Sequence, residues 1–164
     1  MSDSGLQKVI ARLAHNLVRD NLVQKITTEV RTSLDVDRVV LYYFYYQWKG
    51  QVTFESLSSS KYSIFGSSGP DECFNGDYAA LYEAGRVRAI EDIETEAIAD
   101  CHRDFLRKLQ VRANLVVPVL NPKGLWGLLI AHHCQSPHSW SSKDIQLMQE
   151  SAITLAENTS ISNG

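Results

Sequence analysis

The sequence lacks the features of a membrane, secreted or nucleic-acid-binding protein. Its 164 residues include only three cysteines, an odd number at wide spacing. That excludes a disulfide scaffold and points to a reduced, cytoplasmic chain. With no C-x-x-C or H-x-x-x-H pair, no structural metal site is expected. Long hydrophobic runs are missing as well. The apolar stretch Leu125–Ala131 contains Gly127 and falls far short of the roughly 20 residues that span a bilayer. The opening MSDSGLQK has neither a basic nor an apolar segment, so no secretory signal is expected. Positive charge is not in excess: 16 Lys and Arg stand against 19 Asp and Glu, a net charge of −3. No surface for tracking phosphates follows from that balance. Nor is there a G-x-S-x-G, a P-loop, a dinucleotide fingerprint or a paired-carboxylate pattern, so the chain does not read as an enzyme. What is present, 44% hydrophobic and 21% charged residues, is ordinary globular usage for one domain.

Leu6, Val9, Ile10, Leu13 and Leu17 follow helical spacing, and Leu22, Val23, Ile26, Val30 and Leu34 resume it after Asp20, a good N-cap. The run Val39–Tyr46 is β-branched and aromatic on both faces, which predicts a strand covered on both sides and central in a sheet. A second strand starts near Val52. Residues 58–77 are rich in serine and glycine and read as a long irregular loop, a length that in a compact domain usually serves function. Its end, Cys73-Phe74, is apolar enough to dock inward. A short helix over Tyr78–Ala84 closes at Gly85, and Val87–Ile90 can be a strand. Asp100 reads as the N-cap of a helix containing Cys101, Phe105, Leu106 and Leu109. Strands at 112–120 and 125–134 are joined by Asn121-Pro122-Lys123-Gly124, and Ser141 with Asp144 forms a capping box for the last helix. The tail ENTSISNG reads as polar and frayed. Hairpin-length links predict an α+β domain: a mainly antiparallel sheet with helices on one face and a pocket under the loop and short helices on the other. One domain over 1–164 is expected, with helices at about 5–34, sheet and pocket at 35–140 and a last helix at 141–160.

Cys101, in the first turn of a helix, sees free N–H groups and the positive end of the dipole, which favour a thiolate. Its spacing to Phe105 and Leu109 equally suits a core cysteine. Cys73 closes the flexible loop beside Asp71 and Glu72, and reads either as a mobile thiol or as an ordinary loop cysteine. Arg86, Arg88 and Arg112 read as surface charge or as a clamp for carboxylates. His132 and His133 are successive strand residues facing opposite sides, so only one can reach a given pocket.

Four strings in combination, DECF at 71–74, DCHRDFL at 100–106, VRANLVVPVL at 111–120 and LWGLLIAHHC at 125–134, resemble a cyanobacteriochrome GAF domain of the D-x-C-F, two-cysteine variety. The likeness runs from about Asp35 to Leu155. It implies a GAF fold and a light-sensing domain that binds a linear tetrapyrrole (bilin), phycocyanobilin or its isomer phycoviolobilin. By the same resemblance Cys101 forms the thioether to ring A, His102 packs on the pyrrole rings, and Asp71 accepts from pyrrole N–H groups. Cys73 adds reversibly to the bridge between rings B and C, giving a violet or blue state. Phe74 lines the site, Arg86 meets a propionate and His132 neighbours ring D. The implied partners are the bilin and the output domain of a larger sensory protein, such as a kinase, a cyclase or a chemotaxis receptor. Terminal helices suit a homodimer. The alternative is a GAF domain that binds a cyclic nucleotide or other small ligand and uses neither thiol.

Overall fold

A computed structural model of the chain describes residues 3–46, 49–68 and 76–163. Its helices are α1 (Asp3–Arg19), α2 (Asn21–Leu34), α3 (Gly76–Glu83), α4 (Asp100–Lys108) and α5 (Ser142–Asn158). Its strands are β1 (Arg38–Tyr46), β2 (Lys49–Leu57), β3 (Arg88–Ile90), β4 (Ala113–Asn121) and β5 (Gly124–His133). The strands form one sheet in the order β2-β1-β5-β4-β3, and every pairing is antiparallel. The aromatic strand β1 therefore lies inside the sheet, as its apolar faces require.

Alternation divides the sheet into two faces. Val39, Leu41, Leu115, Val117, Leu129 and Ala131 join one cluster with Val23 and Val30 of α2 and Met148 and Leu155 of α5. The opposite face carries Tyr42, Phe44, Val116, Leu128 and Ile130, packed with Tyr82 of α3. Trp126 is the exception. Val119 pairs with Gly127 while Leu120 pairs with Leu125, so Trp126 is the extra residue of a bulge and turns to the helical face. Gly127 lets β1 approach: a Cβ there would lie 2.0 Å from the Tyr42 carbonyl oxygen.

Local signals set the ends. The Asp20 carboxylate accepts from the N–H groups of Leu22 (3.0 Å) and Val23 (3.4 Å). Ser141 and Asp144 complete the capping box. The hairpin turns at Pro122-Lys123, with Gly124 at φ +119°. Three expectations need correction. Residues 58–68 are not irregular throughout: Val52 N–H donates to Ser67 O, Gly66 N–H donates to Val52 O, and Tyr62 is buried, so this segment folds back along β2. The tail does not fray. Residues 160–163 form a short 3-10 turn, Ile161 is fully buried, and Asn121 Nδ2 donates to its carbonyl at 3.1 Å. The cap of α4 is Ala99 rather than Asp100.

Candidate functional site

The α4 helix forms because Phe105, Leu106 and Leu109 pack on Ile90, Ile93 and Val111. Asp100 in its first turn and Arg107 and Lys108 in its last complement the dipole. Asp100 gives its carboxylate to Arg103, at 3.4 Å, instead of to a cap. Arg103 also ties α4 to the preceding segment, donating from Nε to Ile93 O (2.9 Å) and from Nη2 to Glu96 O (2.6 Å). Arg107 pairs with Glu94 and Asp104.

Cys101 is the second residue of α4 and is exposed, so the core-cysteine alternative is excluded. The expectation that every thiol is reduced is met at Cys134 and not at Cys101, which is held in a disulfide. Its sulfur must be released before it can add to anything. Burial raises the Cys134 thiol above its ordinary value and suits it to a passive role. His102 is half-buried, and its pKa is lowered by burial first, then by the charges of Arg88 and Arg86. A neutral ring in the field of two guanidinium groups suits packing against a flat, anionic-edged ligand. Arg88 pairs with Glu96 at 3.3 Å. Arg86 stands over the Tyr82 ring, 5.6 Å from its centroid. Arg112 is not available as a clamp: it holds Asp92 through two bonds of 2.7 and 3.0 Å. That hydrogen bonding, with the Glu94 N–H, lowers the Asp92 carboxyl to about 2. Asp71, Cys73 and Phe74 lie outside the described residues.

At the end of the sheet under α4, three polar side chains interrupt the apolar pocket face. Arg38, His132 and Asn114 are directly opposite one another on β1, β5 and β4, and share the alternation of Tyr42, Ile130 and Val116. All three are buried. Arg38 donates from Nε to His132 Nδ1 (3.0 Å), from Nη1 to Tyr62 O (2.7 Å) and from Nη2 to Leu109 O (2.6 Å). His132 is pushed well below its usual pKa by burial and by the Arg38 charge. Asn114 Oδ1 is buried and has no hydrogen-bond partner among the described residues. The sequence reading missed Arg38 and Asn114. The signal was there: both are polar residues in the pocket-facing alternation of otherwise apolar strands. His133, by contrast, faces away, with Nδ1 3.0 Å from Ser136 O and its ring stacked on His138. A separate open cavity of about 570 Å³, lined by Glu83 and Leu120–Leu125, contains none of the predicted site residues.

A five-stranded antiparallel sheet with α2 and α5 packed on one face, and an apolar cluster with the buried Arg38, His132 and Asn114 on the other, defines a small α+β domain. The chain belongs to the GAF domain family, which it matches over residues 19–158. It is 49% identical over 156 residues to an uncharacterised protein of Picosynechococcus sp. (strain ATCC 27264 / PCC 7002 / PR-6), covering 95% of this chain and 96% of that protein. A putative methyl-accepting chemotaxis protein of Synechocystis sp. (strain ATCC 27184 / PCC 6803 / Kazusa) is 36% identical over 125 residues. That match covers 76% of this chain and only 12% of the longer protein. Among solved structures, the cyanobacteriochrome receptor PixJ aligns with a TM-score of 0.77 at 33% identity, covering 84% of this chain and 94% of that one. The phycoerythrobilin-bound GAF domain of a cyanobacterial phytochrome aligns with a TM-score of 0.72 at 26% identity, covering 95% and 93%. Among the described residues no helix is long and apolar enough to cross a membrane.

Proposed function

We propose that this domain is a light sensor that holds a linear tetrapyrrole through a thioether at Cys101. The observation that carries the reading is the pairing of Cys101 and His102 at the head of α4, with His102 in the field of Arg88 and Arg86, in a domain whose sheet face opposite the long helices carries the apolar cluster of Tyr82, Val116, Leu128 and Ile130. The residues present suit such a ligand. It offers a long apolar body, two carboxylates for guanidinium groups, and N–H and C=O groups at its ends. The unpartnered Asn114 Oδ1 is a polar atom that a purely apolar ligand would leave unsatisfied.

Within this reading Cys101 supplies the nucleophile once reduced. A cellular thiol first reduces the disulfide by exchange and becomes oxidised in its place. The Cys101 sulfur then bonds to the exocyclic carbon of ring A and the thiol hydrogen goes to the adjacent carbon, so the addition itself consumes no oxidant or reductant. The bilin, phycocyanobilin or phycoviolobilin, supplies the light-driven isomerisation next to ring D. Cys73 adds to and leaves the central bridge by the same S–H balance and so switches between a violet or blue state and a longer-wavelength one. Asp71 accepts from pyrrole N–H groups, Phe74 closes the site, and Arg86 meets a propionate. Apart from attaching and isomerising its own bilin, the domain turns over no substrate. The small share of the chemotaxis relative that this chain spans supports a role as the input module for an output domain.

The test is coexpression with phycocyanobilin synthesis in a reducing host, read by colour and by zinc-induced fluorescence on a denaturing gel. Wild type is expected to give a fluorescent band that Cys101→Ala loses. Cys73→Ala is expected to keep the band and lose the short-wavelength state, and Asp71→Asn to keep the band with altered photoconversion. A colourless wild type overturns the reading in favour of a small-ligand GAF domain. An undiminished band in Cys101→Ala overturns the attachment site.

A further inference from the structure

The first turn of α4 carries Cys101 and His102 but no buried side chain. Asp100 and Cys101 are exposed, His102 and Arg103 are half-buried, and Leu106 is the first buried residue of the helix. Its apolar seating on Ile90, Ile93 and Val111 comes from Phe105, Leu106 and Leu109, all in the second half. Ala99, at the N-cap, has no side-chain oxygen to bind the free N–H groups. Once the Cys101 disulfide is reduced, neither packing nor a cap fixes the end that presents the thiol. Arg103 does. Its Nε donates to Ile93 O at 2.9 Å and its Nη2 to Glu96 O at 2.6 Å, two bonds from one planar fork. The turn that accepts them is itself anchored. Arg112 holds the Asp92 carboxylate at 2.7 and 3.0 Å, and Ile93 N–H donates to Arg112 O at 2.9 Å. Arg103 thus fastens the head of α4 to the sheet through the 92–96 turn.

Helical geometry turns this tether into a direction. Residues two apart lie roughly 160° from one another around the axis, so drawing Arg103 onto the 92–96 turn points Cys101 away from it, where it is exposed. Glu96 serves twice. Its carbonyl accepts from Arg103, and its carboxylate pairs at 3.3 Å with Arg88, whose charge acts on His102. One short stretch of backbone therefore sets both the direction of the thiol and the surroundings of its neighbour. Resting on the bilin reading above, we infer that Arg103 is a positioning residue for bilin attachment. It acts through Cys101 rather than on the ligand, holding the sulfur and the N-terminal N–H groups of α4 in the arrangement from which the thiolate adds to ring A. The role needs the planar fork and not merely a cation, since both carbonyls are held at once. The Nη1 contact with Asp100, at 3.4 Å, adds little, because that carboxylate stands in solvent.

The test mixes the whole chain, reduced with a dithiol, with phycocyanobilin and follows thioether formation per folded molecule, the folded fraction being read by tryptophan fluorescence. Arg103→Met is expected to lower the rate at saturating bilin roughly tenfold, as a misplaced nucleophile does, while the half-saturating bilin concentration changes less than twofold. Arg103→Lys keeps the charge without the fork and is expected to lie nearer to Arg103→Met than to wild type. The pH profile of attachment is expected to move upward in Arg103→Met, because a loosened first turn favours the thiolate less. An arginine with only a structural role would lower the folded fraction and leave the rate per folded molecule and the pH profile unchanged, and that result overturns the proposal. A raised half-saturating concentration at an unchanged maximal rate overturns it as well. If Arg103→Met does not fold, Arg103→Lys decides on the same readouts. A second arm needs no bilin: iodoacetamide alkylation of Cys101 in the reduced chain, read by mass spectrometry of its peptide at neutral pH, is expected to slow two- to fivefold in Arg103→Met. If wild type takes up no bilin, the bilin reading falls; slowed alkylation then still supports Arg103 as the residue that positions the thiol, and unchanged alkylation overturns it.

Discussion

Replacing Arg38 with methionine is the most informative test of how the pocket end of the sheet is held. Methionine keeps much of the volume and donates nothing, so two buried acceptors, Tyr62 O and His132 Nδ1, and the half-buried Leu109 O lose their partner. At about 1–3 kcal/mol for each unsatisfied group the gross loss is of order 3–9 kcal/mol. Two effects offset it. A buried guanidinium with no salt bridge among the described residues carries a desolvation cost of several kcal/mol that disappears with it, and that same desolvation lowers the Arg38 pKa in the native chain against the opposing charges of Cys134, Glu55 and Asp37. His132 can also take up a proton in its place. The net expectation is a loss of about 2–4 kcal/mol, a large part of the ~5–15 kcal/mol that stabilises such a domain. In melting temperature that is roughly 5–15 °C at this chain length. Urea unfolding followed by tryptophan fluorescence measures it. Arg38→Lys, which keeps the charge but reaches fewer of the three acceptors, is expected to fall between. A loss below about 0.5 kcal/mol for Arg38→Met would refute the reasoning, because it would show that the freed carbonyls find water and that Arg38 does not tie α4 to the sheet.

Gly127→Ala puts a methyl 2.0 Å from the Tyr42 carbonyl oxygen, so β1 and β5 must separate; a loss of about 1–3 kcal/mol or more is expected in denaturant unfolding, and an unchanged midpoint would show that the strands already stand further apart. On the acid side, His132 and His102 have folded pKa values below the ordinary 6.5, so their contribution is fully present above about pH 6.5 and is lost as pH falls toward the folded values. Stability is expected to drop below pH 6.5 by at most about 1.4 kcal/mol per pH unit for each histidine, and a flat profile between pH 6.5 and 5 would contradict the burial of both rings. Asp92 and Glu94, held low by arginine hydrogen bonds, extend the loss below pH 4, where their salt sensitivity separates them from the histidines.

How much of this was legible in the sequence follows from the range of each interaction. The caps at Asp20 and Ser141, the hairpin at Pro122-Lys123 and the inner position of β1 were readable because each depends on residues within a few positions or on one strand's own pattern. The cap of α4 was misread by one residue because Arg103, a helical turn on, takes the Asp100 carboxylate. The tail was misread because its order depends on Asn121, forty positions away, and on the pocket that buries Ile161. Cys101 shares helical spacing with the apolar residues of α4, yet the face is narrow enough that only Leu106 is fully buried and Cys101 stays outside it. The Cys101–His102 pair was visible as a motif. Arg38 and Asn114 escaped because a polar residue in an apolar strand is ambiguous until the register shows what is opposite, and here that is His132 on both sides.

The two faces of the sheet answer to different demands, and their polar side chains show it, although each face holds one buried polar atom without a partner among the described residues, Trp126 Nε1 on the helical side and Asn114 Oδ1 on the other. On the helical face Leu41, Leu115, Val117, Leu129 and Met148 are completely buried among apolar neighbours, and at roughly 1.5–3 kcal/mol per buried side chain that packing supplies most of the stability. The pocket face has the same strands and the same register, but at one end of the sheet it gives three buried positions to Arg38, His132 and Asn114. A domain selected for stability alone would place valine or leucine at 114, since the lone acceptor costs about 1–3 kcal/mol where it stands. The arginine–histidine contact is equally poor as a stabiliser, because it buries a cation against a neutral ring. Both costs make sense if the groups are positioned for something that arrives from the pocket side, and the helical core is large enough to tolerate them until it does. Asn114→Leu therefore separates the two demands within one side chain: it should help the fold and harm the site.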